Sequence, residues 1–361
     1  MSSSSPLSRW TLAAPLAGWL LVALARLEPG AWFHLLAAAG LLGAVLSAVH
    51  HAEVVAHRVG EPFGTLVLAG AVTVIEVALI VSLMLAGGES TRALARDTVF
   101  ASVMIILDGI VGACMLFGAL RHGEQDHSLR GTSAALATLA AIVTLTLVLP
   151  NATTSVPGPS YSASQLGFVA VVALMLYGSF VFVQTVRHRD YFLPPGAAAA
   201  EEHEHAARPA ARVALASLGL LLVALGAVVL LAKSISPALE AAVEGAGAPK
   251  ALVGVLIAGI VLLPEGLAAL RAARANRLQT SLNLALGSAL ATIGLTIPAV
   301  ALVSIANGWT LTLGIDAKAS VLLVLSLFVA ALSLGTGRTT VLQGAIQLLI
   351  FAVYLFTTIV P

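Results

Sequence analysis

Two glutamates stand where the chain is otherwise apolar. Glu76 closes LAGAVTVIE, residues 68–76, and Glu265 lies in IAGIVLLPEG, residues 257–266. The stretches share a frame: Ala69-Gly70, Val72 and Glu76 in one, Ala258-Gly259, Val261 and Glu265 in the other. A carboxylate inside lipid costs at least about 2.5 to 3.5 kcal/mol, so it is retained where it faces a cavity, a partner or an ion. Burial favours the neutral acid and a nearby cation favours the carboxylate. A buried glutamate therefore exchanges a proton for a metal ion. A pair of them makes a hard-oxygen site suited to Na⁺, K⁺ or Ca²⁺ and unsuited to soft metals. The plainer alternative is that each carboxylate caps a helix or makes a structural hydrogen bond.

Other polar residues accompany the pair. Pro264, beside Glu265, cannot donate to the carbonyl of Ile260 and is expected to kink or break its helix. A broken helix offers an ion both a carboxylate and free backbone oxygens. After each glutamate run comes a second element with hydroxyls among apolar residues. In RDTVFASVMIILDG, residues 96–109, these are Thr98 and Ser102, followed by Asp108. In NLALGSALATIGLTIP, residues 283–298, they are Ser288 and Thr292, four apart and so on one helix face. Such hydroxyls either line a site or bond back to their own helix. Asp108 has no counterpart in the second stretch, and either a proton or ion role or a structural one is open to it. Thr73, Ser102, Asp108, Pro264, Ser288 and Thr292 are taken as the supporting residues.

The elements that must position these groups follow from composition. The chain is 361 residues long, 59% apolar and only 10% charged, where soluble domains carry about 25% charge. Eleven apolar runs reach the length of roughly 20 residues needed to cross hydrocarbon: 10–26, 31–49, 62–86, 97–120, 132–149, 165–186, 212–232, 249–270, 281–306, 318–335 and 340–360. They are continuously apolar, which marks helices rather than barrel strands. Glycine at 32 positions suits helices packed closely in lipid. The expected fold is an all-α polytopic membrane protein.

Charge placement orients it. With eleven spans, the loop set containing the N-terminus holds Arg9, Arg58, Arg121, Arg130, Arg187, Arg189, Arg208, Arg212, Arg271, Arg274, Arg277 and Arg338. The other set holds Arg26, Arg92, Arg96, Lys233, Lys250 and Lys318. The positive-inside rule then puts the N-terminus in the cytoplasm and the C-terminus outside. The net charge of +1 points to no acidic partner, and no aromatic or basic pattern suggests nucleic acid. The single cysteine, Cys114, falls inside the fourth span and excludes an internal disulfide. The first run has the form of a signal peptide as well as of a retained helix, and is read as a retained first helix.

Setting that helix aside leaves ten, five on either side of the polar segment 187–212. We expect residues 1–30 to form the extra helix, 31–186 a first five-helix repeat, 187–211 a cytoplasmic linker and 212–361 a second repeat. Glu76 lies on the third span and Glu265 on the eighth. Five spans apart, the two must run in opposite directions, the mark of an inverted repeat with its binding site near the midplane. Glu201, Glu202, His203, Glu204 and His205 in the linker suit either regulation by a divalent ion or pH or plain solvation. No zinc-binding histidine pair, phosphate loop or nucleophile elbow marks an enzyme, and no cofactor is implied.

These residues carry a resemblance to the calcium/proton exchanger family of the cation/calcium exchanger superfamily. It runs through GEPFGTLVLAGAVTVIEVALI (60–80), LYGSFVFVQTVRHRDYF (176–192), PEGLAALRAARANRLQTSLNLALGSALATIGLTIP (264–298) and TGRTTVLQG (336–344). The family writes Gly-Asn-x-x-Glu around its key glutamates. Here Val72-Thr73 and Val261-Leu262 stand at the matching positions, so the Ca²⁺-binding asparagines are missing, as in one bacterial branch of the family. Gln343 replaces the family's acid in the last-helix motif. The resemblance implies an eleven-helix exchanger of a bacterial cytoplasmic membrane that exports Ca²⁺, Na⁺ or K⁺ in return for protons. Its partners are inorganic ions and lipid, and the oligomeric state is left open. A cation channel and a structural membrane subunit are the alternatives.

Overall fold

In hydrocarbon every backbone N–H and C=O has to be paired within its own segment, so uncharged runs of Leu, Val, Ile and Ala fold as helices. The computed structural model describes residues 8–25, 27, 30, 32–60, 63–87, 92–193, 209–247, 249 and 251–360. Among them the long helices are α1 (Arg9–Ala25), α2 (Trp32–Val59), α3 (Phe63–Gly87), α4 (Leu94–His122), α5 (Leu129–Ala152), α6 (Ala163–Arg187), α7 (Ala211–Gly245), α8 (Ala251–Arg274), α9 (Leu278–Asn307), α10 (Ala317–Leu334) and α11 (Val341–Ile359). Nine are long and apolar enough to cross a membrane; α1 and the Gly70–Met84 part of α3 are shorter apolar helices. Each of the eleven expected spans falls on one of them. Large side chains such as Leu35, Phe168, Leu215, Leu302 and Leu342 face outward, as helices bathed in lipid require.

Two helices outrun their apolar stretches. α2 continues to Val59 and α7 to Gly245, past the expected ends at 49 and 232. A hydropathy run stops where charge begins, but Ala, Glu and Leu propagate a helix equally well in water.

By mutual contact the helices fall into two units, residues 1–89 with 202–247 and residues 90–201 with 248–361. Each unit draws on both halves of the sequence.

The first unit holds α1, α2, α3 and α7. α2 and α7 pack along each other and bury small residues, among them Ala44, Ala48, Ala224 and Ala227. The extra helix α1 is bonded to both. The Thr11 carbonyl accepts from Ser47 Oγ (2.8 Å) and lies 3.1 Å from His51 Nε2 on α2. Trp19 Nε1 donates to the Val223 carbonyl of α7 (2.9 Å). A Cβ at Gly18 would sit 3.0 Å from that of Ala227, so α1 and α7 approach as closely as small residues allow.

The second unit holds α4, α5, α6 and α8 to α11. α4 packs on α8 and α11, and α9 on α6, α8 and α5. The helix starts carry their own signals. Ser162 with Gln165 forms a capping box on α6, Thr340 with Gln343 forms another on α11, and Asp316 caps α10. Each supplies a side-chain acceptor to otherwise unpaired backbone N–H groups. A two-residue strand, β1 (Gln125–Asp126), pairs antiparallel with β2 (Arg338–Thr339) and joins the loop after α4 to the turn before α11.

Candidate ion site

Glu76 belongs to α3 in the first unit. On that helix Val72, Thr73, Ile75, Glu76, Leu79, Ile80 and Leu83 are buried, whereas Val74 is 53% exposed. The 3.6-residue period therefore carries Thr73 and Glu76 on the inward stripe, one turn apart. Glu76 itself is 2% exposed. A buried carboxylate at this position is held by the same apolar stripe that buries its neighbours, and lipid contact falls to Val74.

Glu265, Pro264, Ser102, Asp108, Ser288 and Thr292 all belong to the second unit, on α8, α4 and α9, three helices that pack on one another. Glu265 is partly buried. Of the kink or break expected at Pro264, the structure shows no break: α8 is helical from Ala251 to Arg274 with Pro264 inside it. Neighbouring helices tolerate a proline in a spanning helix by packing around it. The carbonyl of Ile260 still receives no bond from residue 264, which has no N–H. Beside Glu265, a Cβ at Gly266 would stand 3.1 Å from Ile110 Cδ1 of α4, so α8 touches α4 one residue from the carboxylate.

The hydroxyls divide. Ser102 is 1% exposed, and its Oγ donates to the Thr98 carbonyl at 3.0 Å, the back-bonded arrangement. Thr292 is 2% exposed and Ser288 partly buried, both on the face of α9 that four-residue spacing defines. Gln343 is occupied in the cap of α11: its Oε1 accepts from Thr340 N (2.7 Å) and its Nε2 donates to the Ser333 carbonyl (3.0 Å). Among the described residues no three His, Cys, Asp or Glu side chains gather as a metal cluster. The run Glu201, Glu202, His203, Glu204, His205 lies outside the described residues.

Asp108 is where sequence reading fell short. It sits in a π-turn, Ile105–Ile110, within α4, the kind of irregularity often found at functional positions. Its carboxyl meets Ser326 of α10 (2.6 Å) and the amide of Gln347 of α11. Each partner is the single polar residue of a short apolar stretch, LVLSLF and AIQLLIF, and that local isolation is the only sequence signal either gives.

Comparison with known proteins places these helices in a family. The sodium/calcium exchanger protein family matches residues 29–186 and 216–360. A putative ionic transporter, y4hA of Sinorhizobium fredii, is 51% identical over 364 aligned residues, covering 100% of this chain and 98% of its own. The sodium-potassium/proton antiporter ChaA of Escherichia coli is 38% identical over 325, covering 90% of this chain and 88% of its own. Among solved structures, native YfkE superposes with a TM-score of 0.72 at 17% identity, over 97% of this chain and 100% of that one. The H⁺/Ca²⁺ exchanger CAX does so with 0.70 at 16%, over 96% and 86%. At such identities the superpositions speak for the fold, and the sequence matches speak for kinship. An eleven-helix chain matched through both of its halves, and 38% identical to an antiporter over nine-tenths of its length, is a multi-pass membrane transporter and belongs to the sodium/calcium exchanger protein family.

Proposed function

We propose that the protein is a cation/proton antiporter of a bacterial cytoplasmic membrane, with its N-terminus in the cytoplasm, that exports Na⁺, K⁺ or Ca²⁺ against an inward flow of protons. Glu76 and Glu265 are its exchanging groups. The observation that carries this reading is the frame Ala-Gly-x-Val-x-x-x-Glu, written once in each half, with Glu76 on a buried helical stripe and Glu265 next to a proline inside its helix. The antiport activity named for the 38% identical relative supports it.

With a cation bound, both carboxylates are ionised and compensated; with protons bound, both are neutral. The empty, doubly charged state is penalised because uncompensated charge in lipid is costly, and that penalty makes exchange obligatory. Two inverted five-helix repeats, 31–186 and 212–361, would alternate the access of the site to each side of the membrane. The asparagines that the resemblance leads one to expect are replaced at Val72-Thr73 and Val261-Leu262, which argues against a strong preference for Ca²⁺.

The test is collapse of an imposed pH gradient in everted vesicles containing the protein. Na⁺, K⁺ and Ca²⁺ are added in turn, with Glu76→Gln and Glu265→Gln alongside. Collapse on adding a cation, lost in both variants at normal folded yield, is the expected result. A gradient indifferent to all three cations, or variants that behave as wild type, would overturn it; conduction without proton movement would identify a channel.

A further inference from the structure

The carboxyl of Asp108 is sealed inside the second unit. Asp108, Ser326, Gln347 and Met104 are each 0% exposed. Ser326 Oγ lies 2.6 Å from Asp108 Oδ2 and 3.7 Å from Met104 Sδ. The Gln347 amide is assigned the orientation that satisfies both of its neighbours, in which its oxygen accepts from the Ala330 N–H (3.2 Å) and its nitrogen donates to Asp108 Oδ1 at 2.5 Å. One acid thus joins α4, α10 and α11.

Counting hydrogens separates the two states this carboxyl can take. Ser326 has one hydroxyl hydrogen and faces two atoms. If Asp108 is ionised, that hydrogen goes to Oδ2, and the negative charge meets two neutral donors where a carboxylate offers about four lone-pair positions. If Asp108 carries a proton on Oδ2, its O–H donates to Ser326 Oγ, the Ser326 hydrogen turns to Met104 Sδ, and the amide donates to Oδ1. Each of the three contacts then has one hydrogen.

The charges nearby agree. The helices packed on the π-turn are α8, α9, α10 and α11. Their ionisable side chains are Glu265, Arg271 and Arg274 on α8, Lys318 on α10 and Tyr354 on α11, with none on α9. Lys318 lies two turns from Ser326, roughly 12 Å along the helix, and donates to the Thr357 carbonyl (2.6 Å). Arg271 and Arg274 occupy the last turn of α8. On α4 itself, Arg96 pairs with Asp97 at the start (2.7 Å), and Arg121 and His122 end the helix. Glu265, the remaining charge, has the same sign as an ionised Asp108. A sealed carboxylate without a cation is far more costly than its neutral acid.

We infer that Asp108 is a proton-only site, a neutral carboxylic acid held by Ser326 and Gln347 that keeps its proton when cations bind. Its place in transport rests on the antiport reading: the exchanging carboxylates are then the two glutamates alone, and Asp108 adds no charge to the cation-bound state. Its protonation does not rest on that reading and is measured separately.

The measurement is infrared spectroscopy of the full chain in lipid vesicles, at neutral pH, with and without saturating Na⁺, K⁺ or Ca²⁺. Wild type minus Asp108→Asn is expected to show a protonated-carboxyl C=O band that added cation leaves unchanged. Ser326→Ala removes one hydrogen-bond partner and should move that band to higher frequency, so the assignment survives even if Asp108→Asn fails to fold. Absence of the band from the wild-type difference, its insensitivity to Ser326→Ala, or its loss on adding cation would each overturn the inference. Failure of antiport in the vesicle assay, with the band present, would remove the transport role and leave the neutral acid standing.

Discussion

The imidazole of His127, in the loop after α4, lies with Nε2 3.1 Å from the carbonyl oxygen of Leu334 at the end of α10. Its Nδ1 is buried without a hydrogen-bond partner. Neutral imidazole satisfies this geometry when Nε2 carries the hydrogen. A second proton would go to Nδ1 and bury an unpaired donor. Burial accordingly holds the His127 pKa below the usual histidine value, opposed by the bond to Leu334 and by Asp126.

A pH dependence follows. Above about pH 6.5, the ordinary value, folded and unfolded chains both hold His127 neutral and the residue contributes no slope. As pH falls through that value the unfolded chain takes up a proton that the folded chain refuses, so stability declines until the lowered folded value is passed. Each pH unit of depression is worth about 1.4 kcal/mol. Thermal melting in detergent should show this acid loss, and His127→Gln, which keeps a donor for Leu334 without a titrating ring, should reduce it. Equal slopes in the two proteins would remove His127 from the account.

Gly344 on α11 makes a second prediction. A Cβ there would collide with the backbone of Leu116 on α4, and one at Gly112 of α4 would come within 2.9 Å of the Gln347 Cβ. The two helices meet through bare backbone, and one turn further Gln347 reaches Asp108. Gly344→Ala should force α11 away from α4 at a cost of about 1–3 kcal/mol, read as a lower melting temperature and a smaller folded fraction. Gly178→Ala on α6, where nothing lies within 4 Å, is the control and should melt at or above wild type, since alanine favours helix. Matching melts for the two variants would contradict the close crossing.

Much of this was legible in the sequence, for identifiable reasons. Each spanning helix announces itself by a long, mostly apolar run, and Thr73 and Glu76, three residues apart, fall on one buried stripe by helical periodicity. What was not legible depends on distant partners. Asp108 and Ser326 are 218 positions apart, and a lone serine in a leucine-rich helix reads equally well as lipid-facing or inward. The π-turn that carries Asp108 has no sequence signature, and the grouping of α7 with α1, α2 and α3 crosses the linker that composition marks as the boundary. At Pro264 the local rule allowed a kink or a break, and α8 runs as helix from Ala251 to Arg274 through it.

Pro264 supplies the last prediction, in which stability and transport should move oppositely. Replacing it with alanine restores an N–H able to reach the Ile260 carbonyl and removes a ring that crowds that turn, a change worth up to about 3 kcal/mol in a helix interior. The variant should melt no lower than wild type. If the freed Ile260 oxygen helps Glu265 hold a cation, the same new bond takes it away, and cation-driven collapse of the pH gradient should require several-fold more cation while the proton-bound form folds normally. Pro264→Ala with wild-type cation dependence would mean that the carboxylate acts without that carbonyl. A variant that neither folds nor transports would mean that the proline shapes α8 for packing, with Gly266 and its contact to Ile110 as the first place to look.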